Sequence, residues 1–169
     1  RLVLDSGRDK VIALGHGRTL AASIDRMPTT PCPGVKFVSL LGGLTRRFAA
    51  NPFDVIQRVA EKTGAEAYLL PVPFFANSIA DKKVLLSQLG IGEVLEMANA
   101  ASLLIVGIGE VSAESFLQMG GMVGAEEIEA VRKAGAEGEV LGHFFSLSGE
   151  HLANDLSDRA LAPNPERLR

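Results

Sequence analysis

Three short apolar runs, each ending on glycine and separated by helical stretches, constrain this chain more than any other feature. Val11-Ile12-Ala13-Leu14 leads into Gly15, Lys36–Leu41 into Gly42-Gly43, and Ser102–Val106 into Gly107. Runs without polar alternation suit strands buried on both faces. Between them lie helices with recognisable ends. Thr19–Met27 is closed by Pro28, and Asn51-Pro52 opens a helix, as N-cap and first helical residue, that Gly64 ends. Tyr68–Leu70 reads as a further strand. Ser78 caps a helix whose apolar face is Val84, Leu85, Leu86 and Leu89, and Ile91–Asn99 is a short helix. Ala125–Ala134 carries glutamates early and Arg132-Lys133 late, matching a helix dipole, and Gly135 closes it. Glu139–Phe145 reads as one strand interrupted at Gly142. Alternating strands and helices predict an α/β fold, a mostly parallel sheet with helices on both faces, and 169 residues suit one domain, 1–169.

In such sheets ligands sit beyond the carboxyl ends of the strands. The turns Gly15–Thr19, Gly42–Arg47 and Gly107–Glu110 are therefore expected to converge at one edge. Gly15-His16-Gly17-Arg18-Thr19 is the most suggestive, because a glycine turn feeding a helix start presents free N–H groups and a favourable dipole to an anion. The Arg18 guanidinium and the Thr19 hydroxyl add donors. Charge divides unevenly along the chain. Residues 1–50 hold eight Lys/Arg against three Asp/Glu, residues 51–169 nine against seventeen, and the formal net charge is −3. A positive first half with glycine turns points to a small anionic ligand, and overall acidity argues against the chain itself gripping nucleic acid.

Other chemistries find less support. His16, His143 and His151 lack metal-ligand spacing, and no metal or cofactor is expected. No Gly-x-Ser-x-Gly elbow occurs, the single Cys32 lies between prolines, and Lys82-Lys83 are expected to face solvent. Glu110, Asp81, Glu137 and Glu139 are the carboxylates near turns, able to accept from hydroxyls or act as bases, or merely to cap and solvate. Phe74, Phe75, Phe144 and Phe145 are expected in the core or an interface. No apolar run approaches the ~18 residues of a membrane span, and the polar start shows no signal peptide.

Taken in order, the motifs resemble a known family. They are Gly15–Thr19, Ser39–Thr45, Asn51-Pro52-Phe53, Pro71–Ser78, Val106–Gly109 and Gly135–Phe145. This series resembles the sugar-binding effector domain of SorC/DeoR-type bacterial transcriptional regulators. The resemblance implies a fold like that of ribose-5-phosphate isomerase and glucosamine-6-phosphate deaminase. It also implies a sugar, sugar alcohol or sugar phosphate as ligand, bound so as to alter oligomeric contacts and operator binding by an attached helix-turn-helix. By resemblance, Gly17, Arg18 and Thr19 fall on the phosphate-side loop, and Gly15 and His16 are expected with them among the ligand-binding residues. Gly42, Gly43 and Arg46 fall on the second ligand loop, and Gly107, Gly109 and Glu110 on the third. The chain is then expected to be a fragment lacking the helix-turn-helix and the family's C-terminal end, cytoplasmic, self-associating and in contact with DNA only through that helix-turn-helix. Ser146 stands where the family often has Asp.

The expectation is a sensor without catalytic residues. Two alternatives remain: a sugar-phosphate isomerase or deaminase with Glu110 or Glu137 as base, and an interaction module whose helices serve only self-association.

Overall fold

The computed structural model describes residues 10–44, 54–164 and 166. The first unit runs β1 (Lys10–Leu14), α1 (Arg18–Arg26), β2 (Val35–Ser39), α2 (Ile56–Thr63) and β3 (Glu66–Tyr68). Helices α3 (Ile79–Leu86) and α4 (Ile91–Asn99) then lead to β4 (Leu103–Ile105). These four strands form a parallel sheet in the order β3-β2-β1-β4. β1 shows why its residues form a two-sided strand. Ile12 and Leu14 enter one cluster with Phe37, Ile56 and Val59, whereas Ala13 enters another with Val38, Ala98 and Phe144. Period-2 alternation thus buries both faces, one beneath α1 and α2, the other beneath α4.

The second half departs from a single parallel sheet. Strands β5 (Gly109–Glu110), β6 (Gly138–Val140), β7 (His143–Phe145) and β8 (His151–Leu152) form a separate antiparallel sheet. Helices α5 (Phe116–Met119) and α6 (Ala125–Lys133) lie between β5 and β6 in the chain, and α7 (Asp155–Asp158) follows β8. The single strand expected over Glu139–Phe145 is two. Leu141 and Gly142, with φ of 53° and 80°, make the two-residue turn of a hairpin in which Val140 faces His143.

Two helix expectations change as well. The described part of α2 begins at Ile56, whose N–H donates to Asp54 Oδ1, while Asn51 and Pro52 lie outside the described residues. Gly64 ends that helix in the left-handed conformation, as its position suggests. The apolar face of α3 is only half used. Leu85 and Leu86 pack on a small cluster with Leu70 and Ile91, but Val84 is 60% exposed, and Leu89, expected on the same face, lies beyond the helix end and is 98% exposed. Phe74, Phe75 and Phe144 are fully buried, as core residues should be.

Candidate functional site

The strand order fixes where a site can form. The chain steps from β1 to β2 to β3 in one direction, then returns to place β4 on the other side of β1. The loop leaving β1 leads to α1 and on to β2, while the loop leaving β4, on the other side of β1, leads into the second part of the chain. The reversal of strand order between β1 and β4 marks the crevice in which open α/β sheets bind ligands. Leu14 is in register with both Ser39 and Ile105, so the three glycine turns start side by side. The Gly15 N–H donates to Ile105 O at 2.9 Å, locking the first turn to the third.

At this crevice lies a cavity of about 90 Å³, lined among others by His16, Gly17, Arg18, Thr19, Gly107 and Glu139. Gly17 caps α1 at φ 126°, ψ 164° and makes no side-chain cap. The first intrahelical bond runs from Ala21 N–H to Gly17 O, so the N–H groups of Arg18, Thr19 and Leu20 have no acceptor within the helix. That backbone region is essentially restricted to glycine. Gly17→Ala is expected to cost about 1–3 kcal/mol, or roughly 2–10 °C in Tm by calorimetry. A variant as stable as the wild type would refute the strained turn.

His16 sits behind the turn, 7% exposed. The Ser39 hydroxyl donates to Leu41 O at 2.7 Å, so it accepts from His16 Nε2–H at 3.3 Å. Asp54 Oδ2 stands 3.9 Å from the same nitrogen. Burial holds the imidazole below its ordinary pKa, against the pull of the Asp54 carboxylate. The serine proton thus points at a carbonyl and the histidine proton at the serine, the reverse of a nucleophile activated by a base.

Glu139 completes the cavity from the second sheet. It pairs across the ladder with Gly109, and a Cβ on Gly109 would come within 2.7 Å of Glu139 Oε2. Glycine at 109 therefore makes the room that this carboxylate occupies. Oε1 accepts from the Gly142 N–H. Burial pushes the carboxyl up to about 7, opposed by that N–H.

The remaining expected residues divide. Glu110 does not line the cavity; it meets the Arg18 guanidinium at 3.3 Å on the rim, both side chains more than half exposed. Gly43 backs the His16–Asp54 pair. Gly42 is turned away from the cavity, against the backbone of Val72 and Pro73. Arg46 lies outside the described residues. Glu137 is exposed and lines neither cavity, so it is not positioned as a base. Among the described residues no group of three or more His, Cys, Asp or Glu gathers as a metal site, and no helix is long and apolar enough to cross a membrane.

A larger open cavity of about 820 Å³ lies beyond Ile108, lined among others by Lys82, His143, Phe145, His151 and Asp158. Lys82 Nζ donates to Asp158 O, His143 Nε2 bonds Pro163 O, and His143 Nδ1 is buried without a partner. Sequence reading missed this groove because its walls come from α3, the loop after β4, the second sheet and α7, which no local pattern joins. It has neither a helix start nor a glycine turn after β1, and the smaller cavity is the stronger candidate.

Comparison with known proteins places the chain in a family. Residues 2–169 match a family described as "Putative sugar-binding domain". The chain is 49% identical over 166 residues to the erythritol catabolism regulatory protein EryD of Brucella abortus (strain 2308), covering 98% of this chain and 52% of that protein. It is 25% identical over 160 residues to the deoxyribonucleoside regulator of Bacillus subtilis (strain 168), covering 94% and 51%. The chain thus spans about half the length of these curated relatives. Among solved structures, the full-length sorbitol operon regulator SorC from Klebsiella pneumoniae superposes with a TM-score of 0.81 at 18% identity, over 99% of this chain and 55% of that one, and shares its fold.

Proposed function

The chain belongs to the family of sugar-binding domains that its residues 2–169 match, and on that premise we propose that it is the ligand-sensing part of a transcriptional regulator responding to a short sugar alcohol. The ligand occupies the cavity at the β1/β4 crevice. Its hydroxyls accept from the N–H groups at the start of α1 and from Thr19, and donate to Glu139 Oε2. Gly17, Gly107 and Gly109 let the backbone approach, Gly15 holds the first turn against Ile105, and His16 supports the turn from behind. Occupancy changes self-association and operator binding by a helix-turn-helix elsewhere in the regulator, in the cytoplasm.

One observation carries the reading. A buried carboxylate and a run of unpaired helix-start N–H groups face a cavity too small for a large ligand. A volume of about 90 Å³ is far below the ~300 Å³ and more of drug-sized sites. Acceptor and donors on opposite walls suit a short polyol. The likeness to the erythritol regulator supports a sugar alcohol in particular. We assign no catalysis, because Glu110 is engaged with Arg18 and the Ser39–His16 proton arrangement runs the wrong way for attack.

A thermal-shift screen tests this. A ligand at 100 times its Kd stabilises by about 2.7 kcal/mol, so erythritol at that excess should raise Tm by roughly 5–10 °C. No shift with any sugar, sugar alcohol or sugar phosphate would overturn the proposal. Turnover of a sugar phosphate would favour an isomerase or deaminase instead.

A further inference from the structure

The start of α1 has the makings of an anion site: unpaired N–H groups, a positive dipole end and Arg18 at the first helical position. The described charges around it do not suit a phosphate. Among the described lining residues Arg18 is the one cation and Glu139 the one carboxylate. Glu110 adds a second negative charge at the rim and takes hold of the Arg18 guanidinium at 3.3 Å. Glu110 is placed there by the second sheet. It stands on β5 opposite Gly138 and bridges to α1 from 92 positions along the chain. A phosphate dianion entering the cavity would have to displace one carboxylate from Arg18 while facing another.

We propose that Glu110 is a specificity-determining residue: by holding Arg18 across the mouth of the cavity, it favours uncharged polyols over their phosphates. This rests on the function proposed above and narrows its substrate class. Glu110 need not touch the ligand. It cancels the charge of the cation that would otherwise recruit an anion, and its own field repels one. An exposed ion pair of this kind contributes little to folding, so its removal should leave the fold intact.

The test compares erythritol and erythritol 4-phosphate by calorimetric titration of wild type, Glu110→Gln, Arg18→Ala and the double variant, at fixed pH and ionic strength. The wild type should bind erythritol more tightly than its phosphate. Glu110→Gln should raise the ratio of phosphate to polyol affinity by roughly three- to tenfold, the size expected of one partly screened charge. Most of the gain should be lost in Glu110→Gln/Arg18→Ala, because it works mainly through the guanidinium and only relief of Glu110's own repulsion is left there. An unmoved ratio in Glu110→Gln would overturn the selector, as would a wild type that prefers the phosphate. A tenfold loss of erythritol affinity in Glu110→Gln without gain for the phosphate would also overturn it, making Glu110 a direct acceptor. A wild type that binds neither compound beside a Glu110→Gln variant that gains the phosphate through Arg18 would overturn the proposed function and leave the selector standing.

Discussion

Gly42→Ala should lower Tm by roughly 6–12 °C, whereas Gly34→Ala should leave it within about 2 °C. Gly42 follows β2, where the chain turns to run beside residues 70–74. Gly43 N–H donates to Leu70 O, Leu44 N–H to Val72 O and Phe74 N–H to Leu44 O, each at 3.2–3.3 Å. Together with the parallel bridge between Leu44 and Pro73, these bonds hold the two backbones in close approach. A methyl on Gly42 would fall on the carbonyls of Val72 and Pro73. Backbone cannot swing aside as a side chain does, so relief requires separating the two segments. Overpacking of this kind costs about 3 kcal/mol, at the upper end of its usual range. Gly34 has nothing within 4 Å of its added methyl and no positive φ, which makes it the control. Thermal unfolding of both variants without ligand decides it. A Gly42→Ala melt within 2 °C of wild type would show that the close approach is not required. Gly42 was expected among ligand contacts from its place in a glycine turn; its packing assigns it to the scaffold instead.

That reassignment shows what the sequence could carry. β1 and β2 are legible because burial on both faces leaves continuous apolar runs such as Val11–Leu14, and glycines mark their ends. β4 shows an apolar run too, although it is an edge strand with Ile105 exposed. The convergence of the turns follows from parallel strands in register. The second sheet is hidden for the opposite reason. Its strands are two or three residues long, too short for a period to register, and Leu141 takes a positive φ that its side chain does not announce. The site divides the same way. His16, Gly17, Arg18 and Thr19 are contiguous and point to a helix start on their own. Glu139 is one carboxylate near a turn among several until Gly109, thirty positions earlier, is seen to leave room for it. Asp54 behind His16 and Glu110 on Arg18 are equally non-local.

Replacing Glu139 by Gln should flatten two pH profiles that slope in opposite directions in the wild type. The first is stability. An ordinary glutamate titrates near 4.5, but burial raises Glu139 to about 7. Between those values the folded chain holds a proton that the unfolded chain has released, so stability falls as pH rises through the window and levels off above it. At about 1.4 kcal/mol per unit the loss is about 3 kcal/mol, and the unliganded wild type should melt roughly 6–12 °C lower at pH 8 than at pH 5 from this group alone. Glu139→Gln carries no proton to lose. Its oxygen still accepts from Gly142 N–H, and it should melt higher than wild type at pH 8 but not at pH 5. The second profile is affinity. If a polyol hydroxyl donates to Oε2, the ionised carboxyl is the better acceptor, and erythritol should bind more tightly at pH 8 than at pH 6. Glu139→Gln, with its oxygen committed to Gly142, turns an N–H₂ toward the ligand and forfeits a charge-assisted bond. Affinity at pH 8 should drop roughly ten- to a hundredfold, with little slope left. Calorimetric melts and titrations at three pH values separate the two roles. A carboxyl that only packs beneath the cavity would give the stability slope without the affinity slope, and that outcome would remove Glu139 from the ligand contacts.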